Sequence, residues 1–168
     1  MRTIKIKVYK FNELPDAAKE KAISHFREIN VAYEWWESTY EDAKEIGLQI
    51  NSFDLDQNRH ATGKFIFSAK DVAQAILENH GEHCKTYKTA ESFIKDYLPK
   101  WEENNELEYR DYDLEYELEE MEDKFLESLL EEYSIMLQNE FEYLQEDEQV
   151  IETIEANDYE FNKDGSIF

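Results

Sequence analysis

Residues 111–144 read DYDLEYELEEMEDKFLESLLEEYSIMLQNEFEYL, and the period found in this stretch decides the fold. At its start Tyr112, Leu114, Tyr116 and Leu118 alternate with acids, which is the period of a strand. A longer period competes with it, and residues 109–118 stay open between strand and helix. Leu114, Leu118, Met121, Phe125 and Leu129 recur at spacings of three and four, and Leu126, Leu130, Leu137, Phe141 and Leu144 make a second stripe. No Gly or Pro interrupts residues 100–164, and Glu and Leu favour helix. The stretch therefore predicts one long helix over 111–144 with a wide buried face.

Elements on either side are read from the same signals. Thr89 is expected to cap a short helix carrying Phe93, Ile94, Tyr97 and Leu98, stopped by Pro99. Ser68 caps a helix running through Glu78, with Val72, Ala75, Ile76 and Leu77 buried and an end at Gly81. Leu48–Asp56 and Thr62–Ser68 read as strands joined by the turn Gln57-Asn58-Arg59-His60, with Ile50 and Phe65 facing one core. Residues 3–11 alternate as a strand, with Ile4, Ile6 and Val8 on one face. Pro15 suits the first turn of a helix that reaches Ile29 through Ala18, Ala22 and Phe26. A further helix is expected from Val31 to a Gly47 cap, carrying Tyr33, Trp35, Trp36 and Tyr40. Beyond the long helix come a short one near 147–156 and a hairpin over 159–168 that turns at Asn162–Gly165. Together these predict a single α+β domain, 1–168. Its small, mostly antiparallel sheet is packed by several helices, including one long acidic C-terminal helix.

Composition bounds the function classes. The net charge is −23, yet residues 1–100 carry only −1 and residues 101–168 carry −22. The mean hydropathy of −0.81 leans towards disorder, but aromatics at 14% and only six Gly and Pro favour a folded core. One cysteine, Cys84, excludes an intrachain disulfide and fits a reducing compartment. No apolar run approaches the roughly 18 residues of a membrane span. An acidic chain is repelled by anionic lipid and by phosphates, so neither membrane nor nucleic acid is an expected direct partner.

Most of the excess charge has one address. Residues 102–123 hold Glu102, Glu103, Glu106, Glu108, Asp111, Asp113, Glu115, Glu117, Glu119, Glu120, Glu122 and Asp123 against one base, Arg110. As one helix this tract would span about 33 Å. That is one net charge per roughly 3 Å, close to the ~3.4 Å spacing along a single DNA strand. One reading is a solvated helix face; the other is a nucleic-acid-mimicking surface that enters a basic groove. Tyr109, Tyr112 and Tyr116 lie within the tract and would serve as desolvated anchors. Neighbours on a helix point about 100° apart, so of the Trp35-Trp36 pair Trp35 is the better candidate for a surface contact, the alternative being that the whole cluster packs in the core.

Other chemistry reads weaker. His80-Gly81-Glu82-His83-Cys84 has metal-capable atoms, but His25 and His60 are far away and zinc wants four ligands. His80 instead suits a helix C-terminus. Asp54-Leu55-Asp56 imitates the start of a calcium loop, which fails at Arg59 and Phe65, where Gly and Glu are needed. The same two acids could serve a metal-dependent nuclease. No nucleophile elbow, P-loop or dinucleotide fingerprint is present, so no enzyme and no cofactor are expected.

Two segments resemble known proteins. Val8–Ala22 (VYKFNELPDAAKEKA) with Tyr33–Lys44 (YEWWESTYEDAK) resembles the opening of small proteins common in bacteriophages and prophages, and Val150–Gly165 (VIETIEANDYEFNKDG) is similar to their close. The resemblance implies a phage or mobile-element origin and the cytoplasm of a bacterial host. Combined with the charge, it predicts an inhibitor of a basic, nucleic-acid-handling host protein such as a restriction or CRISPR effector. An antitoxin-like module that neutralises a basic protein is the alternative.

Overall fold

The computed structural model describes residues 6–56 and 58–168. Its elements are α1 (Asp16–Phe26), α2 (Glu37–Glu45), β1 (Leu48–Asp54), β2 (His60–Phe65), α3 (Ala69–Asn79), α4 (Lys85–Glu106), α5 (Tyr112–Leu144) and α6 (Asp147–Ala156). The class is α+β, with one small antiparallel sheet and a long helix that carries part of the acidic stretch. The chain forms two compact units. Trp36–Gln138 forms one; Asn139–Phe168 and the chain up to Trp35 form the other.

In the larger unit, α2 passes through Gly47, at φ +86°, directly into β1. A side chain is strained at that angle, and glycine is not. Leu48 pairs with Phe65 and Ile50 with Gly63; a bulge then shifts the register, so that Phe53 lies opposite Ala61. An extra residue restarts the alternation of faces. It leaves Phe53 against the rings of Trp36 and Tyr40, at 5.6 and 6.2 Å. Ser68 caps α3 as expected, its hydroxyl accepting from the Asp71 N–H at 3.2 Å.

The next helix departs from expectation. It begins after Cys84, not at Thr89, and runs through Pro99 to Glu106. Packing beyond the proline holds the extra turns. Trp101 lies under the Lys70 ammonium, 3.6 Å from its ring centre, and Lys100 pairs with Glu117 at 2.7 Å.

Helices α4 and α5 form an antiparallel hairpin. Its rungs are Thr89 to Glu132, Phe93 stacked on Phe125 at 4.2 Å, Tyr97 to Glu122, and Lys100 to Glu117. Phe125 also meets Phe65 of the sheet at 5.6 Å. Leu129, Tyr133 and Leu137 continue the buried side of α5 with no exposed surface.

The smaller unit packs Ala18, Ala22 and Phe26 of α1 and Val150 and Ile154 of α6 around Phe161. The expected outer strands shrink to single bridges. Tyr9 exchanges two backbone hydrogen bonds with Phe161, each 2.9 Å, and Phe161 bridges Ile167. Ile4 lies outside the described residues, as does Gln57 of the expected turn. Gly165, at φ +82°, sets its backbone so close to α1 that a Cβ there would lie 2.1 Å from the Ala18 carbonyl oxygen. The helix expected from Val31 starts only at Glu37. Upstream, Ile29–Val31 is a short 3-10 turn, and the Asn30 side chain is occupied elsewhere. It donates to the Leu144 carbonyl at the end of α5 and accepts from Thr153.

Candidate functional site

The acidic tract does not form one continuous helix. It occupies the last turns of α4, the link 107–111 and the first three turns of α5, so it wraps the free end of the hairpin. The comparison with a 33 Å charged rod therefore falls. What replaces it is a compact acidic tip with charge on two antiparallel helices.

The twelve carboxylates divide by partner. Asp111 accepts from the backbone N–H groups of Asp113 and Leu114 and so caps α5. Glu115 accepts both contacts of the Arg110 Nε, at 2.6 and 2.8 Å. Glu117 pairs with Lys100, Glu120 pairs with Lys124 at 2.9 Å, and Glu122 accepts from the Tyr97 hydroxyl. Burial and that carboxylate together push the Tyr97 phenol well above its ordinary range, so it stays a donor. The Lys124 ammonium is likewise held above its ordinary value, first by its hydrogen bond to Glu120. Glu102, Glu103, Glu106, Glu108, Asp113, Glu119 and Asp123 are exposed, and their carboxylates make no hydrogen bond or ion pair with any described residue. Tyr109, Tyr112 and Tyr116 stand among them, each about 70% exposed. The structure thus brings the tyrosines and seven unpaired acids together on one tip. Trp35 lies elsewhere. It precedes α2, is half-buried, and packs on Phe141 at 5.5 Å in the smaller unit.

A second polar cluster in the larger unit was invisible in the sequence. Tyr133, fully buried, donates to Asp42 at 2.7 Å. His80, at the end of α3, has Nε2 3.7 Å from Asp42 and Nδ1 2.7 Å from the Thr86 hydroxyl. Asp, His and Thr are the residue types of a hydrolase relay, but Thr86 is only 4% exposed, which leaves a substrate no approach. The cluster instead ties α2, α3, α4 and α5 together. Glu132 belongs with it: burial raises its carboxyl above the ordinary value, against the pull of Thr89, Lys85 and His80. The partners lie up to 91 positions apart, and no local spacing marks them.

Among the described residues, no group of three His, Cys, Asp or Glu side chains is placed to hold a metal ion. Asp54 accepts from the Asp56 N–H at 2.8 Å, which makes a turn. A groove of about 390 Å³ runs beside α2, lined by Tyr40, Leu48, Ile50 and Ile66 together with Glu37, Glu41 and Lys44. No protein-family model, curated protein or solved structure matches the chain. No helix of the described residues is long and apolar enough to cross a membrane.

Proposed function

We propose that this protein is a phage- or mobile-element-borne inhibitor that uses its acidic tip to occupy the nucleic-acid groove of a basic host protein, such as a restriction or CRISPR effector. The observation that carries the reading is the set of seven exposed carboxylates with no partner among the described residues, set around three exposed tyrosines. Like charges held this close repel one another, and Lys or Arg side chains of a partner would relieve that repulsion. Tyrosine adds rigid, amphipathic contact area, which favours protein interfaces over simple solvation. The bacterial cytoplasm is the compartment in which such a partner would be met.

The test is capture from bacterial lysate, with the wild type beside a variant in which the seven carboxylates become amides (E102Q, E103Q, E106Q, E108Q, D113N, E119Q and D123N). Glu115, Glu117 and Glu120 are left alone because each holds an internal ion pair. The expected result is a basic nucleic-acid-binding protein that the wild type retains, that the variant does not, and that short duplex DNA displaces. Equal retention by a folded variant would sink the proposal. A basic partner that DNA fails to displace would move the reading to an antitoxin-like neutraliser.

A further inference from the structure

The start of α5 repeats itself. Tyr112-Asp113-Leu114-Glu115 is followed at once by Tyr116-Glu117-Leu118-Glu119. In each quartet Tyr and Glu stand three apart, which places them on one helix face as neighbours. The first quartet already receives a guanidinium. Arg110 lies over the Tyr112 ring, 5.0 Å from its centre, while its Nε donates to both oxygens of Glu115. The second quartet presents the same pair one turn on. Tyr116 is 69% exposed, and Glu119 is exposed with no hydrogen bond or ion pair among the described residues. Lys124, the base nearest in sequence on that side, is held by Glu120.

We propose that Tyr116 and Glu119 form a seat for an arginine side chain of the partner, built like the seat that Arg110 fills. This rests on the acidic-surface reading above and narrows it to a residue type. An aromatic face beside a carboxylate discriminates between the two basic side chains. A guanidinium is planar, weakly hydrated and forked, so it stacks on the ring while its N–H groups reach the carboxylate. An ammonium is a compact, strongly hydrated charge that gains little from the ring. Asp123 lies two turns from Tyr116 along the same face and adds attraction without choosing between them.

Oligoarginine and oligolysine peptides of equal length, fluorescently labelled and titrated with the intact protein, supply the test. Reading the ratio of the two affinities cancels the general effect of charge. The wild type should bind oligoarginine more tightly. Tyr116→Leu, an exposed change, should cut oligoarginine affinity about two- to fivefold and leave oligolysine unchanged. Glu119→Gln should weaken both peptides. Arg110→Ala empties the first seat, so the arginine-over-lysine ratio should rise, and adding Tyr112→Leu should cancel the rise. Tyr33→Leu, which removes a still more exposed ring in the smaller unit, should change nothing. Equal binding of both peptides by the wild type, or a ratio untouched by Tyr116→Leu, overturns the seat and leaves the acidic-surface reading standing. Binding of neither peptide overturns both.

Discussion

Glu132 gives one carboxylate oxygen to the Thr89 hydroxyl at 2.6 Å and leaves the other buried without a hydrogen bond. A buried charged acceptor in that state costs stability. Burial raises the carboxyl of Glu132 above its ordinary value of 4.5, so the folded protein binds this proton more readily than the unfolded chain does. The penalty is full at pH above the folded value and is relieved as pH falls through it towards 4.5. Glu132→Gln keeps the acceptor for Thr89 and removes the charge. It should stabilise the protein at pH 7 by roughly 1 kcal/mol. Thermal melts from pH 7.5 down to pH 4.5 should show the gain shrinking steadily. A gain that grew on acidification would mean that the charge of Glu132 is an asset to the fold. None of this was legible in the sequence, where Glu132 is one acid among many on an exposed-looking stretch.

Helix α4 shows what local signals carry and where they stop. Pro99 lacks an N–H and crowds the carbonyl four residues back, so the sequence reading ended the helix there. The reading failed because the stop is decided by packing. Lys100 reaches Glu117 and Trp101 reaches Lys70, contacts that exist only once α5 and α3 are in place. Pro99→Ala should therefore stabilise the protein by about 1–3 kcal/mol, visible as a higher denaturation midpoint with an unchanged slope. No change would mean that the last turns of α4 already accommodate the proline without cost. The stripe of α5 was legible from Leu118 onward because its period persists and nothing interrupts it, whereas the first turns, where Tyr112, Leu114, Tyr116 and Leu118 alternate with acids, read equally as strand. The Ser68 cap and the β1–β2 pairing were legible for similar local reasons. The terminal strands were not. Alternation around Ile6 and Val8 promised a ladder, yet Tyr9 and Phe161 make a single bridge, since Phe161 itself fills the core of the smaller unit. At the tip, residue types and the exposure of the tyrosines could be read in advance. The division of the acids into paired and unpaired could not, because Lys100 lies 17 positions from Glu117.

For the molecule as a whole, 41 acids face 18 bases. Salt acts on this balance in two opposite ways: it screens repulsion among the acids and weakens the exposed ion pairs. Exposed pairs contribute little each, about 0–1 kcal/mol, so repulsion should dominate. Raising sodium chloride from low to physiological strength and beyond should therefore increase the melting temperature, as screening closes in to about 8 Å. A fall would show that pairs such as Arg59–Glu131 and Lys21–Asp164 matter more than their exposure suggests. The hairpin of α4 and α5 has a consequence for inheritance. Its rungs, Phe93 on Phe125 and Tyr97 on Glu122, hold the helices together, while seven carboxylates at its end make no hydrogen bond or ion pair with a described residue. Mutations at the end can accumulate without unfolding the protein, and mutations at the rungs cannot. On the proposed reading, descendants of this chain should diverge fastest at the tip as a partner changes its groove, and keep the rungs. One scaffold could in this way follow a moving target through many rounds of escape and pursuit.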